Sequence, residues 1–293
     1  MARDPVAEID AITLAVSDAA SAARFFRDAL DFHVEGDDDR GPGAGRRVRV
    51  RLGQESVILD QRDPPGRPAP PDSRSDDRWF QHVAIVISDM EAAYGRLRAH
   101  GMERISTAPQ RLPEWNPAAG GIEAFYFRGP DGHPLELISF PPGKGADRWQ
   151  ASGPVFLGID HTAIVVSSTE ASLRFYQDGL GLAVVGGSEN WGPEQERLSG
   201  VAGARVRITS LRGAGGPGVE LLEYLEPTSG RPWPGDARLG DLRHAETVFT
   251  VGDVEQVLRR LAAAVPGIDT ALDASAVFVR DPDGHGVRIS QAV

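Results

Sequence analysis

A chain that repeats itself must fold as copies of one small unit packed against each other, so self-similarity constrains this sequence more than any other property. The segment AITLAVSDAASAARFFRDALDF from Ala11 aligns without gaps with HTAIVVSSTEASLRFYQDGLGL from His161, matching Val16 with Val166, Arg24 with Arg174, Phe25 with Phe175 and Leu30 with Leu180. A second pair sets HVAIVISDMEAAYGRLRA from His82 against ETVFTVGDVEQVLRRLAA from Glu246, and the ends of these units, RGPDGHPLELIS from Arg128 and RDPDGHGVRIS from Arg280, match more closely still. The halves 1–150 and 151–293 are therefore homologous, and each contains two related units.

Each unit reads as an alternating apolar strand, a cap region, a stretch with apolar residues at helical spacing, and about three short strands. In the second unit Met90, Tyr94 and Leu97 recur at i, i+4 and i+7 behind Ser88 and Asp89, an amphipathic helix with a side-chain cap. Strands are expected over ARVRITSL and GVELLEYL in the third unit and over IEAFYF and PLELISF, joined by a Pro-Asp-Gly turn, in the second. Pro- and Gly-rich seams at 62–78, 141–154 and 226–236 separate units spanning roughly 8–64, 79–141, 155–227 and 241–293. Segments 36–47 and 187–200 read as loops, and the glycine clusters NPAAGG and GAGGPG lack the Lys-Ser/Thr ending of a phosphate loop.

Composition narrows the chemistry. The 293 residues contain no cysteine, which removes disulfides, thiolate nucleophiles and thiolate metal sites, so any metal must be held by His, Asp or Glu. A formal charge of -11 argues against a phosphate-backbone binder, so no nucleic-acid partner is expected. No apolar run approaches the length that spans a bilayer and no secretory leader is evident, so the expectation is a cytoplasmic protein, monomer or homodimer, with a small-molecule partner and no membrane.

The βαβββ unit in four copies, with HVAIVISDM and HTAIVVSS as strand openings and DPDGH before a last strand, resembles the vicinal oxygen chelate superfamily, which includes glyoxalase I, bleomycin-binding proteins and extradiol dioxygenases. The resemblance covers essentially the whole chain. It implies an α+β fold in which modules pair into two cups of curved mixed sheet, and in which each module can offer one metal ligand from its first strand and one from its last. At those positions module one has Ala11 and about Val57, module two His82 and Glu136, module three His161 and Glu220, and module four Glu246 or His244 with Arg288. Pairing neighbours would leave two incomplete half-sites. Pairing two with three, the favoured arrangement, converges His82, Glu136, His161 and Glu220 on one divalent ion, with Zn, Ni, Co, Mn and Fe(II) all compatible and no organic cofactor implied.

Competing groups are set aside on geometry. Glu223 stands three residues from Glu220 and so faces the other side of its strand. His133 and His285 share the DGH turn in two modules, one without a ligand pair, and read as structural; His33 and His100 near helix ends read as solvated. Arg111, Trp115 and Asn116 in PQRLPEWNP, Trp191, Glu194 and Gln195 in ENWGPEQER, and Arg205 on the next strand are the expected substrate-binding residues at the rim of the middle cup. The resemblance implies a metal-dependent isomerase, epimerase or lyase of the glyoxalase type, with Glu136 or Glu220 removing a proton next to a carbonyl. The alternatives are a ring-cleaving dioxygenase and a non-catalytic binding or resistance protein.

Overall fold

The computed structural model of the protein describes residues 7–41, 43–150, 153–268, 270–273 and 276–292. Module one comprises β1 (Glu8–Val16), α1 (Ala19–Leu30), β2 (His33–Asp39), β3 (Arg46–Leu52) and β4 (Glu55–Gln61). Module two comprises β5 (Gln81–Ile87), α2 (Met90–Ala99), the two-residue strands β6 (Glu103–Arg104) and β7 (Gln110–Arg111), β8 (Glu123–Arg128) and β9 (Pro134–Ser139). In module three β10 (Phe156–Val166) leads into α3 (Thr169–Leu173), which runs on as a π-type segment through Gly179, then β11 (Ala183–Trp191), α4 (Pro193–Ser199), β12 (Arg205–Arg212) and β13 (Gly218–Glu226). Module four is β14 (Ala245–Val251), α5 (Val254–Ala264), β15 (Thr270–Asp273), β16 (Ala276–Arg280) and β17 (Gly286–Gln291).

The first helix of every module starts on the same device. Asp18, Asp89, Ser168 and Asp253 have extended backbone, and each side chain accepts a hydrogen bond from a backbone N–H in the first turn of its helix. One helix lies where a loop was expected: within 187–200, β11 continues to Trp191 and α4 follows. Pro193 enters its first turn and Glu194 and Glu196 complement its positive end, with Gly192 at the cap position making no side-chain hydrogen bond.

The strands form two mixed sheets. One has the order β15-β16-β17-β14-β1-β4-β3-β2, and the other β11-β12-β13-β10-β5-β9-β8-β6 with β7 added beside β8. Module one thus pairs with four, and module two with three, through the antiparallel contacts β1–β14 and β10–β5. Each sheet draws one module from each half of the chain. The fold is α+β, as the four-unit repeat implies.

Strand alternation decides which residues meet the helices. On β5 the side chains of Val83, Ile85 and Ile87 enter a core shared with Phe26 and Leu30 of α1, Leu97 of α2 and Ile12 and Leu14 of β1. A second core holds Ile164 and Val166, Phe175 and Tyr176, Leu261 of α5, and Val287 and Ile289. Both cores mix residues of the two sheets and bury their helix-covered faces against one another. His82, Ala84 and Val86 of β5 point the other way, into the cup.

The DGH turns are staples between modules. His133 Nε2 lies 2.7 Å from the carbonyl oxygen of Ala15, and Asp131 accepts from the Ser17 N–H at 3.0 Å. His285 Nε2 lies 2.8 Å from the carbonyl oxygen of Val165, and Asp283 accepts from the Ser167 N–H at 2.8 Å. The last hairpins of modules two and four are thereby tied to the first strands of modules one and three, which accounts for a shared motif in modules with and without a ligand pair. The seams cross-link in the same reciprocal way. Arg67 grips the buried Asp241 through Nε at 3.1 Å and a terminal nitrogen at 2.7 Å, and Arg231 grips the buried Asp77 at 2.8 and 2.6 Å.

Candidate metal centre

Register across the four central strands of the nine-strand sheet builds the site. Glu136 stands beside Ala84, and Ala84 beside His161, in one cross-strand row; His82, Ala163 and Glu220 form the adjacent row. All six side chains share one face, and neighbouring strands are about 4.8 Å apart. The two alanines keep the middle of each row short, which leaves space between the four ligand-type side chains.

These side chains meet. His82 Nε2 is 2.9 Å from Glu136 Oε2, and His161 Nε2 is 3.5 Å from the same oxygen and 3.5 Å from Glu220 Oε2. Ligand atoms of His82, Glu136 and His161 all lie within 4.8 Å of one another. His82, Glu136 and His161 are 1%, 4% and 4% exposed, whereas the Glu220 side chain is 20% exposed and opens to the cup. Ser210 donates to Glu220 Oε1 at 2.6 Å.

The donor set fits a divalent cation. No aligned hydrogen bond reaches either ring nitrogen of the buried His82, despite its short approach to Glu136, and an imidazole buried that way lacks the partner its lone pair needs. Around His161 stand Glu136, Glu220 and Asp160, three carboxylates that call for positive charge in one buried place. Burial alone would raise Glu136, but the facing His82 and His161 rings hold its carboxyl down at about 2. Burial alone would likewise lower His161, and the Glu220 charge together with bonds to Asp160 and Glu136 pushes it well above the ordinary histidine value.

Four residues around this cluster escaped sequence reasoning. Asp160 Oδ2 lies 3.0 Å from His161 Nδ1, which turns His161 Nε2 toward Glu136 and Glu220. Trp149 Nε1 donates to Asp160 at 2.9 Å, and Arg212 donates to both Asp160 oxygens at 2.8 Å. Tyr126, paired across strands with Glu136, lays its ring 4.8 Å from that of His82. Asp160 is the residue before a predicted ligand, a detectable signal; Trp149 lies in a seam, and nothing local marks it.

A cavity of about 570 Å³ opens over the cluster. Glu136, His161, Glu220 and Gln195 line it, and six of the expected substrate-binding residues do not. Arg111 is exposed and paired with Glu114 at 3.0 Å; Glu194 is paired with Arg197 at 3.0 Å; Arg205 is paired with Glu189. Trp115 and Trp191 pack tilted against each other with ring centroids 4.1 Å apart, both about half exposed. Asn116 is a buried clamp: it donates to Asn190 Oδ1 at 2.7 Å and accepts from the N–H groups of Ala118 and Ala119. Arg111, Trp115, Trp191, Glu194 and Arg205 thus stand away from the cavity, Arg111 and Glu194 paired three residues along the chain, Arg205 across to the neighbouring strand, and the two tryptophans with each other between modules two and three. Glu223 also faces away, accepting from Thr169 Oγ1 at 2.7 Å.

In the other sheet the equivalent positions are Ala11, Ile58, Glu246 and Arg288. Ile58, not Val57, takes the last-strand place, because the parallel register sets Thr13 beside Ile58 and turns Val57 into the helix-covered core. Arg288 donates to Glu246 at 3.0 and 3.2 Å, so a guanidinium supplies the positive charge there. His244 Nε2 lies 3.7 Å from Glu246, and the cavity beside them is only about 10 Å³.

Comparison with known proteins follows the same division of the chain. The profile of the Glyoxalase/Bleomycin resistance protein/Dioxygenase superfamily matches residues 8–137 and again 158–289. A curated virulence protein of Salmonella typhimurium, STM3117, is 27% identical over 136 residues, 46% of this chain and 84% of that protein. Glyoxalase I from Zea mays superposes with a TM-score of 0.67 at 14% identity, over 98% of this chain and 93% of its own, a likeness of fold. No helix of the described residues is long and apolar enough to cross a membrane. With two profile matches spanning most of its length, the chain belongs to the Glyoxalase/Bleomycin resistance protein/Dioxygenase superfamily.

Proposed function

We propose that the protein is a divalent-metal-dependent enzyme of the glyoxalase type, moving a proton next to a carbonyl in a substrate that carries vicinal oxygens. The observation that carries this reading is the convergence of His82, Glu136, His161 and Glu220 from four adjacent strands, with Glu136, His161 and Glu220 lining one cavity and His82 buried against Glu136. His82, Glu136 and His161 would hold the cation, whose chemistry when bound is Lewis-acid stabilisation of negative charge developing on a substrate oxygen. Glu220 is the base. It is the more exposed of the two carboxylates, it opens to the cavity, and its second oxygen is steadied by Ser210. Glu136, wedged between two imidazoles and held ionised down to about 2, is a poor proton acceptor.

The test is metal content by mass spectrometry on untagged protein, together with solvent deuterium incorporation into hydroxyacetone as an α-hydroxyketone probe. The parent is expected to hold about one equivalent, His82→Ala to lose it, and Glu220→Gln to keep it while deuterium incorporation stops. Metal retained in His82→Ala, or incorporation unchanged in Glu220→Gln, overturns the assignment.

A further inference from the structure

The cavity is two-sided. Away from the ligand cluster, module two lines it with Leu112, Ala119, Ile122, Ala124, Ile138 and Phe140, a wall whose one polar side-chain group besides Glu136 is the Tyr126 hydroxyl. Module three brings the polar side chains of Ser188, Asn190, Gln195 and Ser210 to it, among the apolar Val185, Leu198 and Ile208. Of these polar groups Ser210 is engaged by Glu220, and the Asn190 oxygen by Asn116. Gln195 is different. It is 4% exposed, α4 holds it at the cavity wall, and its amide oxygen is buried without a hydrogen-bond partner. A buried amide left this way costs stability unless a ligand completes it.

The charges at the wall are already engaged. Arg148 is held by Glu55 at 2.5 Å, Arg212 by both oxygens of Asp160 at 2.8 Å, and Lys144 donates to the carbonyls of Pro117, Ala118 and Gly120 at 3.0, 3.2 and 2.7 Å. An anionic group on a substrate would meet these occupied cations together with the carboxylates of Glu136, Glu220 and Asp160.

We propose that the pocket selects a neutral, half-apolar substrate: a vicinal-oxygen head at the ligand cluster, an apolar side against Ile122, Ile138 and Phe140, and a hydrogen-bonding group on the opposite side read by Gln195. The inference rests on the chelation reading given under Proposed function and adds the charge and polarity of the rest of the molecule. Gln195 acts as a specificity residue because an acceptor left empty by a ligand without a donor discriminates more sharply than an apolar contact does.

The test measures dissociation constants by calorimetry on zinc-loaded protein for three probes sharing one chelating head: 3,4-dihydroxybenzamide, 3,4-dihydroxybenzoate and 4-methylcatechol. The amide and the acid are nearly the same shape and differ in charge, so the amide is expected to bind about 10-fold tighter or more. In Gln195→Leu the advantage of the amide over 4-methylcatechol is expected to shrink by about 3- to 10-fold, and Gln195→Glu, which keeps size and acceptor, to retain it. Zinc stoichiometry equal to the parent shows that each variant is folded at the site. Equal or tighter binding of the acid, or an amide advantage unchanged in Gln195→Leu, overturns this proposal and leaves the chelation reading standing. Failure of all three probes to bind protein that has taken up zinc overturns both.

Discussion

Asp160 accepts from His161 Nδ1 at 3.0 Å, and the same carboxylate is fixed by the Trp149 indole and the Arg212 guanidinium. His82, its counterpart on β5, has no such anchor at Nδ1. The two imidazoles at the site are therefore not equivalent: one has its tautomer and ring orientation imposed from behind, the other is positioned by packing against Tyr126. Asp160→Asn keeps the shape and removes the charge. It is expected to weaken zinc binding about 10- to 100-fold in a chelator competition, and an unchanged affinity would show that Asp160 serves packing alone.

Glu246 and Arg288 stand where His82 and Glu136 stand in the other cup; Glu246 is buried and Arg288 partly so. Burial alone would raise Glu246, and His244 and Arg288 hold it at about 2, so it is charged at neutral pH. Arg288→Leu removes the guanidinium from that buried charge and leaves His244 beside it. The expected loss is about 3–5 kcal/mol in urea unfolding, with metal content unchanged, and the double change with Glu246→Leu should recover most of it. A single variant as stable as the parent would contradict the role assigned to the pair.

The seam clamps predict an acid limb. Burial works against ionisation of Asp241, but hydrogen bonds from Arg67 and from the backbone of Arg238 and Arg67 hold its carboxyl well below the usual carboxylate range. A depressed folded-state value stabilises the protein fully above the unfolded value of about 4, and that stability is lost as pH falls through and below it. The thermal midpoint should therefore drop on going from about pH 5 to about pH 3, and Asp241→Asn should start lower at neutral pH and drop less. Parallel pH profiles would remove the clamp from the explanation.

Asn116 closes module two onto module three beneath the outward-facing Trp115 and Trp191 pair. Replacing it by Ala leaves Asn190 Oδ1 and the N–H groups of Ala118 and Ala119 without their partner. The expected cost is about 1–3 kcal/mol by denaturant titration, with a shift in tryptophan emission as the two rings separate. No change in either signal would mean that the loops hold together by other contacts.

Much of this architecture was legible because it is local. Helix caps, strand alternation and the DGH turn depend on residues a few positions apart, and repetition of such signals marked out the four modules, while the family resemblance pointed to His82, Glu136, His161 and Glu220 as candidate ligands. The fate of Arg111, Trp115, Asn116, Trp191, Glu194 and Arg205 was decided by their partners. Arg111 and Glu194 are drawn to Glu114 and Arg197 three residues away, whereas Trp115 and Trp191 meet each other, Asn116 meets Asn190 and Arg205 meets Glu189 only once distant segments are brought together.

By itself the sequence determined the repeating unit, the side chains that can bind a metal, and their phase on each strand, since these follow from backbone periodicity. Tertiary structure decided which modules share a sheet, and so which carboxylates and imidazoles come together. That choice is made by contacts between residues far apart in the chain, the β10–β5 seam and the Arg67–Asp241 and Arg231–Asp77 clamps among them. It also decided that Ile58, not Val57, faces the second cup, because a one-residue difference in register turns a side chain to the opposite face of a sheet.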